Sequence, residues 1–100
     1  MRLTDQEIQG IRKAVKSRFG ESAKTWLFGS RADDSKRGGD IDLLIETDLA
    51  TEEAFRARID TMTDIQLSIG DQKIDIVVSS DVSGDERPVV IRAMEEGVCL

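Results

Sequence analysis

Asp40-Ile41-Asp42 and, further on, Lys73-Ile74-Asp75-Ile76-Val77-Val78 place three carboxylates in β-rich runs, and Leu27-Phe28-Gly29-Ser30 ends nine residues before the first pair. In an extended strand alternate side chains share a face, so Asp40 and Asp42 project the same way, roughly 7 Å apart, while Ile41, Leu43 and Ile45 point into a core. Two parallel carboxylates make a hard-oxygen metal site, and Asp75 completes a set of three. Magnesium suits such oxygens together with waters and phosphate oxygens, and two such ions about 4 Å apart stabilise both the attacking and the leaving oxygen of an in-line displacement at phosphorus. Gly29 permits close backbone approach to a phosphate. Ser30 adds a hydroxyl donor and an amide at the start of the following turn or helix, where an anion is favoured. Phosphoryl transfer is mostly positioning and charge stabilisation, and Arg31, Lys36 and Arg37 are the nearby protein cations.

Composition narrows the chemistry. There is no His, which removes imidazole metal sites and Ser-His or Cys-His nucleophilic catalysis. Acid-base work falls to carboxylates or Lys. Lys and Arg number 14 against 20 Asp and Glu, a formal charge of −6, so strong nonspecific binding of nucleic acid through counterion release is not expected. Cys99 is the single cysteine and has no internal disulfide partner. No apolar run reaches the length of a signal peptide or a membrane span, so a cytoplasmic protein with no membrane association is expected. From one hundred residues a single domain, 1–100, is expected, without a second domain to bind an acceptor.

These residues need elements to position them. Thr4-Asp5-Gln6-Glu7 has capping-box spacing, and Ile8, Ile11, Val15 and Phe19 follow at helical intervals up to Gly20, predicting a helix over about 5–19. Residues 25–28 and 40–46 read as strands, with a short helix or tight loop between them. Thr51 is placed to cap a helix carrying Phe55, Ile59, Met62, Ile65 and Ile69 inward and ending at Gly70, and residues 73–78 form a third strand. Pro88 opens a last helix with Val90, Met94 and Val98 on one stripe. Trp26, Phe19, Phe28 and Phe55 fit core faces rather than a base-stacking platform, and Glu95-Glu96 fits a solvated helix face. The order predicts an α/β (α+β) domain: a small mixed sheet of about three strands flanked by about four helices. For phosphate and carboxylates to meet, the first two strands must be antiparallel. The long helix makes a right-handed crossover, so the second and third strands are parallel.

Phe28-Gly29-Ser30-Arg31-Ala32, Gly39-Asp40-Ile41-Asp42-Leu43-Leu44-Ile45, Lys73-Ile74-Asp75-Ile76-Val77 and the closing Arg92-Ala93-Met94-Glu95-Glu96-Gly97-Val98 resemble the minimal nucleotidyltransferases (MNT) of the DNA polymerase β superfamily, over nearly the whole chain. The resemblance implies magnesium-dependent transfer of a nucleoside monophosphate from an NTP to a hydroxyl. Asp40, Asp42 and Asp75 would be the catalytic metal ligands, with Asp75 also helping the acceptor hydroxyl lose its proton. Gly29, Ser30 and Arg31 would bind the nucleotide. Asp33-Asp34 stand where many relatives carry Arg-Gly, and they would repel a triphosphate unless they point to solvent or pair with Arg31, Lys36 or Arg37.

Stand-alone domains of this type are similar to the antitoxins of HEPN/MNT toxin-antitoxin modules, in which a small helical HEPN ribonuclease is silenced by attachment of AMP. The resemblance therefore implies ATP as substrate, two magnesium ions, and a separately encoded helical HEPN-type partner in a homo- or hetero-oligomer. Two other readings stand beside it: a non-catalytic antitoxin that acts by binding, and a small-molecule nucleotidyltransferase of aminoglycoside type.

Overall fold

The computed structural model describes residues 1–100. Helix α1 (Asp5–Phe19) begins with the expected capping box: Glu7 N donates to Thr4 Oγ1 at 3.1 Å and Thr4 N donates to Glu7 Oε1 at 2.9 Å. Two otherwise orphaned amide groups are satisfied there. Strand β1 (Lys24–Phe28) runs into a 3₁₀ turn (Gly29–Ala32), and a loop returns the chain to β2 (Ile41–Glu46). Helix α2 (Thr51–Ile69) crosses to β3 (Ile74–Ser79), and α3 (Pro88–Glu96) leads into a short strand β4 (Val98–Cys99).

The four-stranded sheet has the order β3-β2-β1-β4. Strands β1 and β2 are antiparallel and β2 and β3 parallel, as the carboxylates required. Ile41, Leu43 and Ile45 are fully buried beneath α1 and α2, with Ile74 and Ile76 beside them. Leu44 is fully buried too, because α3 covers the other face with Val90 and Ala93. Strand β2 is thus apolar on both faces except at Asp42 and Glu46, one near each end of the face that α3 covers.

Three expectations about the elements change. The sheet gains β4: the chain leaves α3 at Gly97 in an extended conformation, so Val98 pairs with Leu27 of β1 instead of continuing a helical stripe. A Cβ on Gly97 would lie 2.2 Å from the Ala93 carbonyl, which keeps that exit open only to glycine. The helices stand as expected, the short one between the first two strands being the 3₁₀ turn Gly29–Ala32. Ala50, not Thr51, is the N-cap of α2 and makes no side-chain cap bond.

The largest difference is the rotation of α2. Its buried stripe is Ala54, Ala57, Thr61 and Ile65, while Phe55 and Ile59 are 56% and 46% exposed. Small residues let α2 lie close to its neighbours; at Gly10 of α1 an added Cβ would meet Ser68 Oγ at 2.7 Å. A helix pressed this close has no room for Phe55 on the contact face. In α3, Val90 and Ala93 face inward and Met94 is 38% exposed, by the same preference for small residues at a tight contact.

Candidate active site

Pairing register sets two of the three carboxylates, Asp42 and Asp75. Asp42 is opposite Phe28 of β1 on one side and Asp75 of β3 on the other. Gly29 follows Phe28 directly, so the turn and the carboxylates meet at one end of the sheet. Gly29 adopts φ +73°, and a Cβ on it would lie 2.2 Å from Asp42 Oδ2. Asp40 lies just before β2, anchored by the bond from Ile41 N to Lys73 O at 3.0 Å. Asp40 and Asp42 are both partly buried, and Asp75 is exposed.

Desolvation, then the charges of Asp75 and Asp40, push the Asp42 carboxyl above its ordinary pKa, and Arg92 and Lys73 oppose this. These carboxylates therefore feel one another. The three carboxylates are not gathered into a metal-coordinating cluster of three. The donor chemistry still fits magnesium: hard oxygens, more than one carboxylate, and open sides for water and phosphate. Lys73 Nζ is 3.5 Å from Asp40 Oδ2, a loose pair at the surface.

The side on which a phosphate is expected is built by the loop at 29–39. The 3₁₀ turn is four residues long, too short for an appreciable macrodipole, so an anion there would rely on local amides and cations. Gly39, at φ +88°, packs on Ser30 so closely that a Cβ would overlap its hydroxyl. A polar hollow of about 270 Å³ beside the turn is lined by Gly29, Ala32, Asp33, Lys36 and Glu96. The Asp33 carboxylate is engaged within the loop: its Oδ1 accepts from Ser35 N at 2.9 Å and Ser35 Oγ at 2.6 Å, which lowers its pKa. Asp34 meets the Met1 amine.

Arg31 faces protein oxygens. Its guanidinium donates to Gly39 O, to Arg2 O and, at 3.0 Å, to Gln72 Oε1. Gln72 Nε2 donates in turn to Glu7 Oε2 at 2.9 Å, so the capping box of α1 is wired to the loop. Arg2 completes the brace, donating to Gly38 O at 2.7 Å, Ser30 O at 2.9 Å and Asp33 O at 3.3 Å, while Arg2 N donates to Arg31 O at 2.7 Å.

Sequence reasoning did not single out Arg2, Gln72, Arg92 or Glu96 as members of this region. Arg2 and Gln72 meet the loop across long stretches of chain, and no local spacing announces that. Arg92 had a signal: an α3 residue on the helix that covers the acidic face of the sheet.

No helix is long and apolar enough to cross a membrane. The family model described as "Nucleotidyltransferase domain" matches residues 8–99. Comparison with curated proteins gives no match.

Proposed function

Because the chain belongs to the nucleotidyltransferase domain family, we propose that the reaction it carries out is transfer of AMP from ATP to a hydroxyl of a separate helical protein, as the antitoxin of a HEPN/MNT pair. The family supports nucleotidyl transfer in general. The observation that carries the site assignment is the row Gly29, Asp42, Asp75, in which the turn packs on one carboxylate and the next strand sets the second beside it.

Asp40, Asp42 and Asp75 would hold magnesium, which supplies charge neutralisation at the phosphates and a positioning template when bound. Gly29 and Ser30 receive the triphosphate, with Lys36 the cation lining the adjacent hollow. Arg31 and Arg2 hold the loop in shape. The acceptor oxygen attacks the α-phosphorus, the bond from that phosphorus to the bridging oxygen of the β-phosphate breaks, and pyrophosphate leaves. The acceptor proton passes to Asp75, the most exposed of the three carboxylates. A tyrosine acceptor, with a hydroxyl pKa near 10, ionises far more readily than a serine.

The test is incubation of the protein with magnesium, ATP labelled at the α-phosphate, and the helical protein encoded by the adjacent reading frame. Label on that protein, and an intact-mass gain of one or more AMP units, are expected. A tight complex without label favours an antitoxin that acts by binding alone. Label on an aminoglycoside and none on protein favours the small-molecule reading.

A further inference from the structure

The strand that carries Asp75 is an edge of the sheet, with β2 on one side and no strand on the other. Ile41 N bonds to Lys73 O and Thr47 N to Ser79 O. In a parallel ladder the odd-numbered residues of β3 therefore turn their backbone groups toward β2, and Ile74, Ile76 and Val78 turn theirs outward. One of these outward groups is capped, Val78 O by Arg87 Nη2 at 2.7 Å. The rest of the edge presents backbone donors and acceptors suited to an added strand.

Alongside this edge, away from the carboxylates, runs a groove of about 640 Å³ whose apolar lining includes Ile76, Val78, Ala54, Phe55 and Leu49. It accounts for the exposure of Phe55, which the rotation of α2 leaves over solvent. Its charged lining is Arg58, Arg87 and Asp85. Asp85 is taken by Arg87 at 2.7 Å and by Ser79 Oγ at 2.8 Å, which leaves Arg58, lying over the Phe55 ring at 5.4 Å, as the uncompensated charge.

We propose that the acceptor protein docks by adding an extended segment antiparallel to the β3 edge, so that a hydroxyl side chain of the segment stands beside Asp75 while its apolar residues enter the groove. The inference rests on the reading of the site as a nucleotidyltransferase with a protein acceptor. Asp75 turns its own backbone toward β2, so its neighbour on an added antiparallel strand occupies the close, non-hydrogen-bonded position, with Cα atoms about 4.5 Å apart. Alternation sends the segment residues opposite Ile76 and Val78 to the other face, toward the Leu49, Ala54 and Phe55 side of the groove. Main-chain bonds give affinity and the pockets give selection. Arg58 selects for a carboxylate on the segment. A second copy of this chain is a poor occupant, because each copy carries a formal charge of −6.

The test uses the full chain with the helical protein of the adjacent reading frame as probe. Complex formation is expected to slow hydrogen exchange at the amides of Ile76 and Val78 by about tenfold or more. Val78→Pro removes an outward N–H that an edge strand does not need for its own pairing, and Arg58→Glu reverses the groove charge without touching the backbone. Each is expected to lower labelling at subsaturating probe by about tenfold while calorimetry gives the parent affinity for magnesium-ATP. Should Val78→Pro not fold, Arg58→Glu carries the test. A complex in which those amides exchange at their free rate overturns the inference, as do absence of any complex and protection that develops with concentration in the protein alone. Protection without any label upholds the docking and overturns only AMP transfer.

Discussion

Gly29 leaves no space for a side chain beside Asp42: a Cβ there would stand 2.2 Å from Asp42 Oδ2, on a backbone at φ +73°. The glycine that ends β1 is thus also what fixes the place of the carboxylate that pairs with Asp75 across the sheet. Gly29→Ala must displace that carboxylate and adopts a left-handed conformation that costs about 1–2 kcal/mol. The variant is expected to fold with a lower Tm and to lose transfer by about a hundredfold, as a misplacement near 1 Å does. Parent-like turnover in a steady-state assay would show that Asp42 need not sit where Gly29 holds it.

Asp42 carries a stability cost of its own. Its pKa is raised by desolvation and by Asp75 and Asp40, so the ionised form disfavours the folded state. The cost is absent below the unfolded carboxylate pKa of about 3.9, grows as pH rises toward the folded pKa, and is complete above it. Without metal, Asp42→Asn is therefore expected to melt above the parent at neutral pH, with the gap closing toward pH 4. Magnesium with ATP is expected to raise the Tm of the parent and not of Asp40→Asn/Asp42→Asn. Equal shifts in both proteins would remove the metal-site assignment.

Arg2 offers a test of the loop brace. Its guanidinium meets three loop carbonyls, those of Ser30, Asp33 and Gly38. Lysine, a point charge on a flexible stem, cannot span the same set. Both Arg2→Ala and Arg2→Lys are expected to speed hydrogen exchange in residues 29–39 and to weaken ATP binding, with the core amides of β2 unchanged. Lysine behaving like the parent would mean that charge alone is at work.

Ser30 lies between the brace and the candidate phosphate hollow. Ser30→Ala is expected to weaken ATP binding by about 1 kcal/mol, roughly fivefold, with no change in Tm. Isothermal titration that returns the parent affinity would assign Ser30 to the turn alone.

How much of this was legible in the chain follows from the range of each interaction. The strand pairing could be read because period-two alternation over Ile41, Leu43 and Ile45 and over Ile74 and Ile76 is local, and because the carboxylates restrict the strand directions to one arrangement. The capping box of α1 was legible for the same reason. The face of α2 was not: periodicity finds an apolar stripe with Phe55 and Ile59, but contact distance selects Ala54 and Ala57. Strand β4 is two residues long and carries no alternation to detect. At the site, residue types announced Asp40, Asp42, Asp75, Gly29 and Ser30. Arg2 reaches its partners over separations of 28 to 36 residues, and only folding brings them together.

The most direct measurement is intact mass of the helical partner after incubation with magnesium and ATP, beside the parent protein and beside Asp75→Asn, each first shown to bind the partner. The account predicts AMP on the partner with the parent and none with Asp75→Asn, despite equal complex formation. AMP added equally by both proteins, or by neither while the partner is still neutralised, would contradict it.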